Sequence, residues 1–484
     1  MTRLLRLLSA FAAAGLLVST SAFAASTPVS DELLAPLVTA YDRAVKPGEE
    51  ATLHRELFGE VLKRVQRSYA REVDAAALVA VALKEIQPLE PQSGDAAEVF
   101  RKAINAALGS LDPHSRYLDP RAQANQRSML TGSFGGLGMQ VDMLDGLVRI
   151  VSPMPGTPAE RAGLKRGDLI VRFDDQAVLG MELPEAISRM RGQPGTTILL
   201  TIRRGEDEFA VPLVRENIQT QALRWNMEGD VLVLRLSSFT GTVMSSLEKA
   251  VKEATEKAAP RAVVLDMRGN GGGLLRQGVL TADAFLNAGE IVSLHGRTMS
   301  TRRSWQADAG ELLAGLPMVV LLDGRSASAA ELVAAALQEH GRAVVMGQRS
   351  FGKGSVQSIV PLGAEKGALR LTTAIYHGPS GRTVQRTGVG PDIELIAATE
   401  AAKQASRREA DRAQALPGAD EPLPPKARVE QARCPKPRPE VDAALACALA
   451  FVNAGATEPF LSMLEPAEPV VQQATTPPSE TATH

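Results

Sequence analysis

Across 484 residues the chain carries only two cysteines, two tryptophans, four tyrosines and six histidines. Two cysteines with no histidine nearby make a poor zinc site. So few rings for stacking, with a formal charge of −2, give no reason to expect a nucleic-acid partner. The histidines are dispersed: His54 and His114 early, His295, His340 and His377 in the middle, His484 at the end. They form no His-Glu-x-x-His pair, and no metal or cofactor is expected. Beyond Val18 no apolar run is long enough to span a bilayer. Hydrophobic content of 44% and charged content of 22% suit globular structure, and the length implies two to four units.

What is present begins with an address. Arg3 and Arg6 precede the apolar run Leu7 to Val18 and the small-residue stretch Ser21-Ala22-Phe23-Ala24-Ala25. That is the order of an export signal cleaved after Ala24, which takes the charge from −2 to −4 by removing two arginines and no acid. The expected location is the bacterial periplasm; an uncleaved membrane anchor is the alternative. In an oxidising compartment Cys434 and Cys447 are expected to form one disulfide, worth roughly 3 kcal/mol for so short a loop. Two free thiols are the alternative.

The expected class is multidomain α+β. Residues 25–131 read as helical, with Leu57, Phe58, Val61, Leu62 and Val65 at helical spacing, as are Leu78, Val79, Val81, Ala82 and Ile86. The stretch ends in the turn Leu111-Asp112-Pro113-His114-Ser115. Residues 132–215 change to short strands and resemble a PDZ domain, most specifically in Ala162-Gly163-Leu164 and Gly167-Asp168-Leu169-Ile170. A PDZ module takes an extended chain end as an added strand and binds its carboxylate on loop amides. Here that loop is Gly136-Leu137-Gly138-Met139. Residues 216–397 alternate strands and helices as an α/β core. Residues 398–463 are rich in Ala, Arg, Glu and Pro, with one helical stretch near 441–452, and the tail 464–484 is expected to be disordered.

Chemistry concentrates in the core. The strand Met318-Val319-Val320-Leu321-Leu322 ends in Asp323-Gly324, and Ser326-Ala327-Ser328-Ala329-Ala330-Glu331 opens a helix. A serine at a helix N-terminus can be a nucleophile whose oxyanion faces the positive end of the dipole. It can equally be a capping-box residue with Glu331, and Ser326 is a second candidate cap. Downstream, Phe351-Gly352-Lys353-Gly354 holds a lysine that burial could strip of its charge, making it a base. Gly347 to Lys353 also matches the start of a phosphate-binding P-loop, but Gly354 stands where that motif needs Ser or Thr, and a strand follows instead of a helix. The glycine cluster Gly269-Asn270-Gly271-Gly272-Gly273 at a strand end suits an oxyanion hole or an ordinary turn. A serine–histidine triad using His295, His340 or His377 stays open.

Together these pieces resemble the carboxyl-terminal processing peptidases, also called tail-specific proteases, over residues 57–396. The match rests jointly on Gly324 to Glu331, on Phe351-Gly352-Lys353-Gly354-Ser355-Val356-Gln357, and on Gly388-Val389-Gly390-Pro391-Asp392. The resemblance implies Ser328 as nucleophile, Lys353 as general base and Gln357 as its orienting partner. It implies oxyanion amides at Ala329 and Gly272, in a loop where Gly271 replaces the family's proline, and a crotonase-like or ClpP-like core. It further implies protein substrates with free, apolar C-termini, and it admits an adaptor, periplasmic or lipoprotein, and a homo-oligomer. Two other classes stay open: a non-catalytic PDZ scaffold on a degenerate protease core, and an acyl-transfer enzyme.

Overall fold

The computed structural model describes residues 28–363, 365–397, 407–418, 421 and 423–464. The expected export signal and nearly all of the expected disordered tail lie outside these residues.

Four helices come first among the described residues: Asp31–Ala44, Glu49–Ser68, Ala75–Ile86 and Ala96–Gly109. Three start at residues suited to it: the side chains of Ser30, Asp74 and Asp95 each accept a hydrogen bond from a first-turn N–H. The stripe Leu57, Phe58, Val61, Leu62 and Val65 is buried, while Val81 is only half-buried. These helices pack on Leu369 and Leu371 of the core, so the helical region is fused to the sheet that follows it in space.

The PDZ domain is built on a six-stranded sheet with its own apolar centre, including Val148, Ile150, Ile170, Leu200 and Ile202. Strand Met139–Leu144 is an edge of that sheet, paired on one side only, with Leu147–Pro153.

The core centres on a seven-stranded sheet ordered Leu223–Glu228, Val231–Leu236, Ala262–Asp266, Met318–Leu322, Val344–Gly347, Ile393–Ile396 and Ala427–Glu430. The first pair is antiparallel and the rest are parallel. The continuous apolar runs follow from burial on both faces. Val263, Leu265, Val320 and Leu322 meet the helices Val243–Lys257, Leu275–Asp283 and Ala329–Glu339. Their neighbours Val264, Val319 and Leu321 meet the helices Ala443–Ala454 and Thr457–Leu464.

Two features were not evident from alternation alone. Strands Glu290–Gly296, Ser355–Pro361 and Ala368–His377 do not join the parallel sheet; with Arg116–Leu118 and Arg303–Gln306 they form a second sheet paired antiparallel. The C-terminal stretch also contributes Ala427–Glu430 to the main sheet, and Cys434 is disulfide-bonded to Cys447 in the helix covering that face. Among the described residues no single helix is long and apolar enough to cross a membrane.

Candidate active site and peptide groove

Three adjacent parallel strands deliver the site from their carboxyl ends, where ligands meet open α/β sheets. Ala262–Asp266 leads into the glycine loop, Met318–Leu322 into the two serines, and Val344–Gly347 into the lysine loop.

The structure separates the two serines. Ser326 is fully buried, donates its hydroxyl to the Met267 carbonyl at 2.9 Å and accepts from the Asp323 amide at 3.0 Å. It is an internal strut. Ser328 has φ 58° and ψ −117°, a region that costs a non-glycine residue about 1–3 kcal/mol. The ordinary caps of this chain do otherwise: Ser30, Asp74, Asp95 and Asp442 all have negative φ. Ser328 does share a capping-box arrangement with Glu331, but from the backbone of a strained strand-to-helix elbow, the kind of turn that exposes a nucleophile.

Glu331 holds the elbow to the lysine loop. Its carboxylate, with no exposed surface, accepts four hydrogen bonds. Oε2 takes the amides of Ser328 at 2.7 Å and Lys353 at 2.8 Å. Oε1 takes the Ser350 hydroxyl at 2.5 Å and the Gly352 amide at 2.6 Å. Two amides sharing one oxygen can be no farther apart than the sum of those two lengths, so the backbones of Ser328 and Lys353 are neighbours. Burial pushes the carboxyl up to about 7, against the pull of the four donors.

The Lys353 amine is pulled down to about 8, first by burial and then by the Arg370 guanidinium, with Glu409, Glu331 and Asp112 opposing. It donates to Gln357 Oε1 at 2.6 Å, and among the described residues it makes no hydrogen bond to Ser328. Gln357 is fixed in turn: its Nε2 donates to Ser355 Oγ at 3.0 Å and Thr372 Oγ1 at 3.1 Å, so its carbonyl must face the lysine. Thr372 donates to the buried Asp112, which also accepts the His114 and Ser115 amides. The Leu-Asp-Pro-His-Ser turn thus reaches Lys353 through two side chains, Thr372 and Gln357. Tyr376 donates to the Ser328 carbonyl at 3.0 Å, and burial with the Glu331 charge keeps its phenol protonated.

The two expected oxyanion donors differ. Ala329 is the first residue of its helix, where an N–H has no intrahelical acceptor. Gly272 lies against Ser328: a Cβ there would meet the Ala327 carbonyl at 2.8 Å, Ser328 Cβ at 2.8 Å and the Ala329 nitrogen at 3.0 Å. Its own N–H, however, donates to Asn270 Oδ1 at 2.9 Å. The Gly272 amide assigned from the resemblance is therefore engaged in this state, because the loop closes on its own side chain.

The last contributor comes from far along the chain. Glu409, fully buried, accepts from or shares a proton with His114 Nε2 at 2.9 and 3.0 Å, and its amide donates to the Phe351 carbonyl at 3.1 Å. Gln385 takes the Gly354 amide at 2.9 Å and reaches Glu409 at 3.4 Å. His295 and His377 stack on each other at 4.0 Å, and neither they nor His340 hydrogen-bonds to Ser328 among the described residues.

In the PDZ domain a cavity of about 430 Å³ lies between the edge strand and the helix Leu183–Met190. Gly136, Leu137, Gly138 and Met139 line it as expected, with Val141, Ile187 and Met190 as its apolar wall. Leu137 is buried in the domain core, and Gly138, at φ 76°, leaves room where a Cβ would strike Thr157 at 2.2 Å.

Comparison with known proteins agrees with this layout. Residues 230–395 match the model of peptidase family S41, and residues 149–204 match a PDZ domain model. The carboxy-terminal-processing protease of Bartonella bacilliformis is 42% identical over 358 residues, covering 72% of this chain and 77% of that protein. The carboxy-terminal processing protease CtpA of Bacillus subtilis is 31% identical, covering 63% and 65%. A solved photosystem II D1 C-terminal processing protease is 27% identical with a TM-score of 0.44, covering 72% of this chain and 94% of that one.

Proposed function

The chain belongs to the carboxy-terminal-processing proteases of peptidase family S41 and is a serine peptidase, and from that premise we propose that Ser328 and Lys353 are its nucleophile and base. The observation that carries this is the Glu331 carboxylate, which holds the strained Ser328 elbow beside a lysine whose amine titrates near 8.

The neutral Lys353 amine leaves Gln357 and takes the Ser328 proton as Oγ attacks the scissile carbonyl; such contacts commonly tighten only when substrate arrives. The developing oxyanion is met by the Ala329 amide and by the Gly272 amide once Asn270 releases it, each donor being worth roughly 10²–10³ in rate. Protonated Lys353 then passes its proton to the departing amine, leaving an acyl-enzyme on Ser328. Lys353 next activates water to hydrolyse that ester, and the substrate leaves with a new carboxylate.

Substrates enter by their tails. An extended C-terminus adds to the edge strand Met139–Leu144, its carboxylate on the loop 136–139 and its apolar side chain against Val141, Ile187 and Met190. Export to the periplasm is supported by the leader sequence and by the Cys434–Cys447 bond, which suits an oxidising compartment.

The test is incubation of the purified chain with a protein bearing an apolar C-terminal tail, beside Ser328→Ala. The native chain is expected to cut near the tail, and the variant to bind it without turnover. Cleavage by Ser328→Ala overturns the mechanism; binding without cleavage by the native chain leaves a PDZ scaffold.

A further inference from the structure

A cavity of about 370 Å³ adjoins Lys353, and its charged lining is of one sign. Arg325, Arg370, Arg407 and Arg412 border it with Lys353 and His114, and no Asp or Glu does. Two of the arginines are already paired: Arg325 with Asp323 at 3.2 Å, and Arg412 with Glu409 at 3.8 Å while its guanidinium stacks on Phe351. Arg370 donates Nε to the His114 carbonyl at 2.9 Å, and among the described residues neither it nor Arg407 pairs with a carboxylate. Burial and the Arg116 charge across the strand pull Arg370 down to about 10, so the cluster is under electrostatic load. A guanidinium in that condition binds a planar carboxylate well, with two parallel N–H donors. Gly271 and Ala327 line the same cavity. These flank the oxyanion loop and the nucleophile, which places any occupant within a residue or two of the cleaved bond.

We propose that this cavity is a carboxylate subsite of the catalytic cleft, so that the peptidase favours a negatively charged substrate group beside the scissile bond. The proposal rests on the assignment of Ser328 and Lys353. The group is an acidic side chain or the free α-carboxylate of a chain that ends there; the chemistry is the same. A carboxylate so close to the base also favours its protonated form, so a charged substrate should be cut best at a higher pH than a neutral one.

The experiment uses the full chain and three peptides of one sequence: neutral and amidated, with Glu at the positions flanking the cut, and neutral but ending in a free carboxylate just past it. In 50 mM salt kcat/KM for one charged peptide is expected to exceed the neutral value about tenfold, falling toward equality in 1 M salt as screening shortens to about 3 Å. Preference for the Glu peptide assigns the side chain as ligand; preference for the free end assigns the terminus. Arg407→Glu, at an exposed position, is expected to bring the charged-to-neutral ratio to one or below, and Arg370→Gln to lower it as well. Equal kcat/KM for all three peptides, or a preference that survives both substitutions, overturns the subsite. If no peptide is cut, the Ser328–Lys353 assignment itself fails. Fluorescent peptides then decide the subsite, where equal affinity for charged and neutral forms overturns it.

Discussion

Two glycine-containing loops here are suited to turning backbone amides toward an anion, and they are supported in opposite ways. The Ser328 elbow sits under a core buried on both faces, with a non-glycine residue at φ 58° and a carboxylate that has no exposed surface holding it in place. The PDZ loop opens onto an unpaired sheet edge, and its glycine takes φ 76° without penalty. On the proposed mechanism, one amide set meets a charge that exists only in the transition state, and the other a charge the substrate already carries. Strain and buried charge fit the first task, since preorganisation there raises kcat, whereas the second raises affinity alone.

If that division holds, the largest losses follow from the base. Lys353→Arg is expected to lower kcat by roughly 10³ or more, because a guanidinium cannot give up its proton. In the native chain kcat/KM should rise with pH through about 8, as the amine loses its charge. A rate that is flat across that range, or an active Lys353→Arg, would instead call for a histidine base.

Next is Glu331→Gln, which replaces half of the acceptor with an NH₂ facing N–H donors. We expect kcat to fall roughly 10²-fold and unfolding to become easier by about 1–3 kcal/mol. The pH dependence gives a signature that a generic packing defect would lack. With its folded pKa raised from 4.5 to about 7, Glu331 contributes stability that is full below 4.5 and lost as pH rises through about 7. Thermal unfolding should show that component in the native chain and not in the variant. The carboxylate form that the four donors require is thus the less stable one, a stability loss carried at the site of function.

Why Glu331 was half-legible is instructive. In the sequence it is the fourth residue of a capping box, and local spacing can show no more than that. Its other partners, Ser350, Gly352 and Lys353, lie about twenty residues on and meet it only because Val344–Gly347 pairs beside Met318–Leu322. The same limit hid the link from Asp112 to Thr372, 260 residues apart, and the seating of Glu409 on His114, 295 apart. The central parallel strands, Met318–Leu322 above all, were readable because their runs are apolar, whereas Ala427–Glu430, with Arg428 and Glu430, carried no such mark. The antiparallel sheet was not assigned, since partner choice leaves no mark in the alternation of a single strand. That the Gly272 amide is engaged in this state was not legible either: Asn270, two residues before it, closes a turn that uses that N–H.

The smallest expected effect belongs to the open groove. Ile187 lines the PDZ cavity and is half-buried, so Ile187→Asp introduces a charge where an apolar terminal side chain should pack, without emptying the domain core. KM for a tailed protein is expected to rise about tenfold with kcat unchanged, the pattern of lost uniform binding. A short peptide that reaches only the catalytic cleft supplies the contrast, since its kcat/KM does not depend on the tail site. Steady-state kinetics on the two substrates decide the matter. Should Ile187→Asp lower kcat on the tailed protein as far as it lowers kcat/KM, the groove is coupled to the elbow, and the two loops are not independent devices.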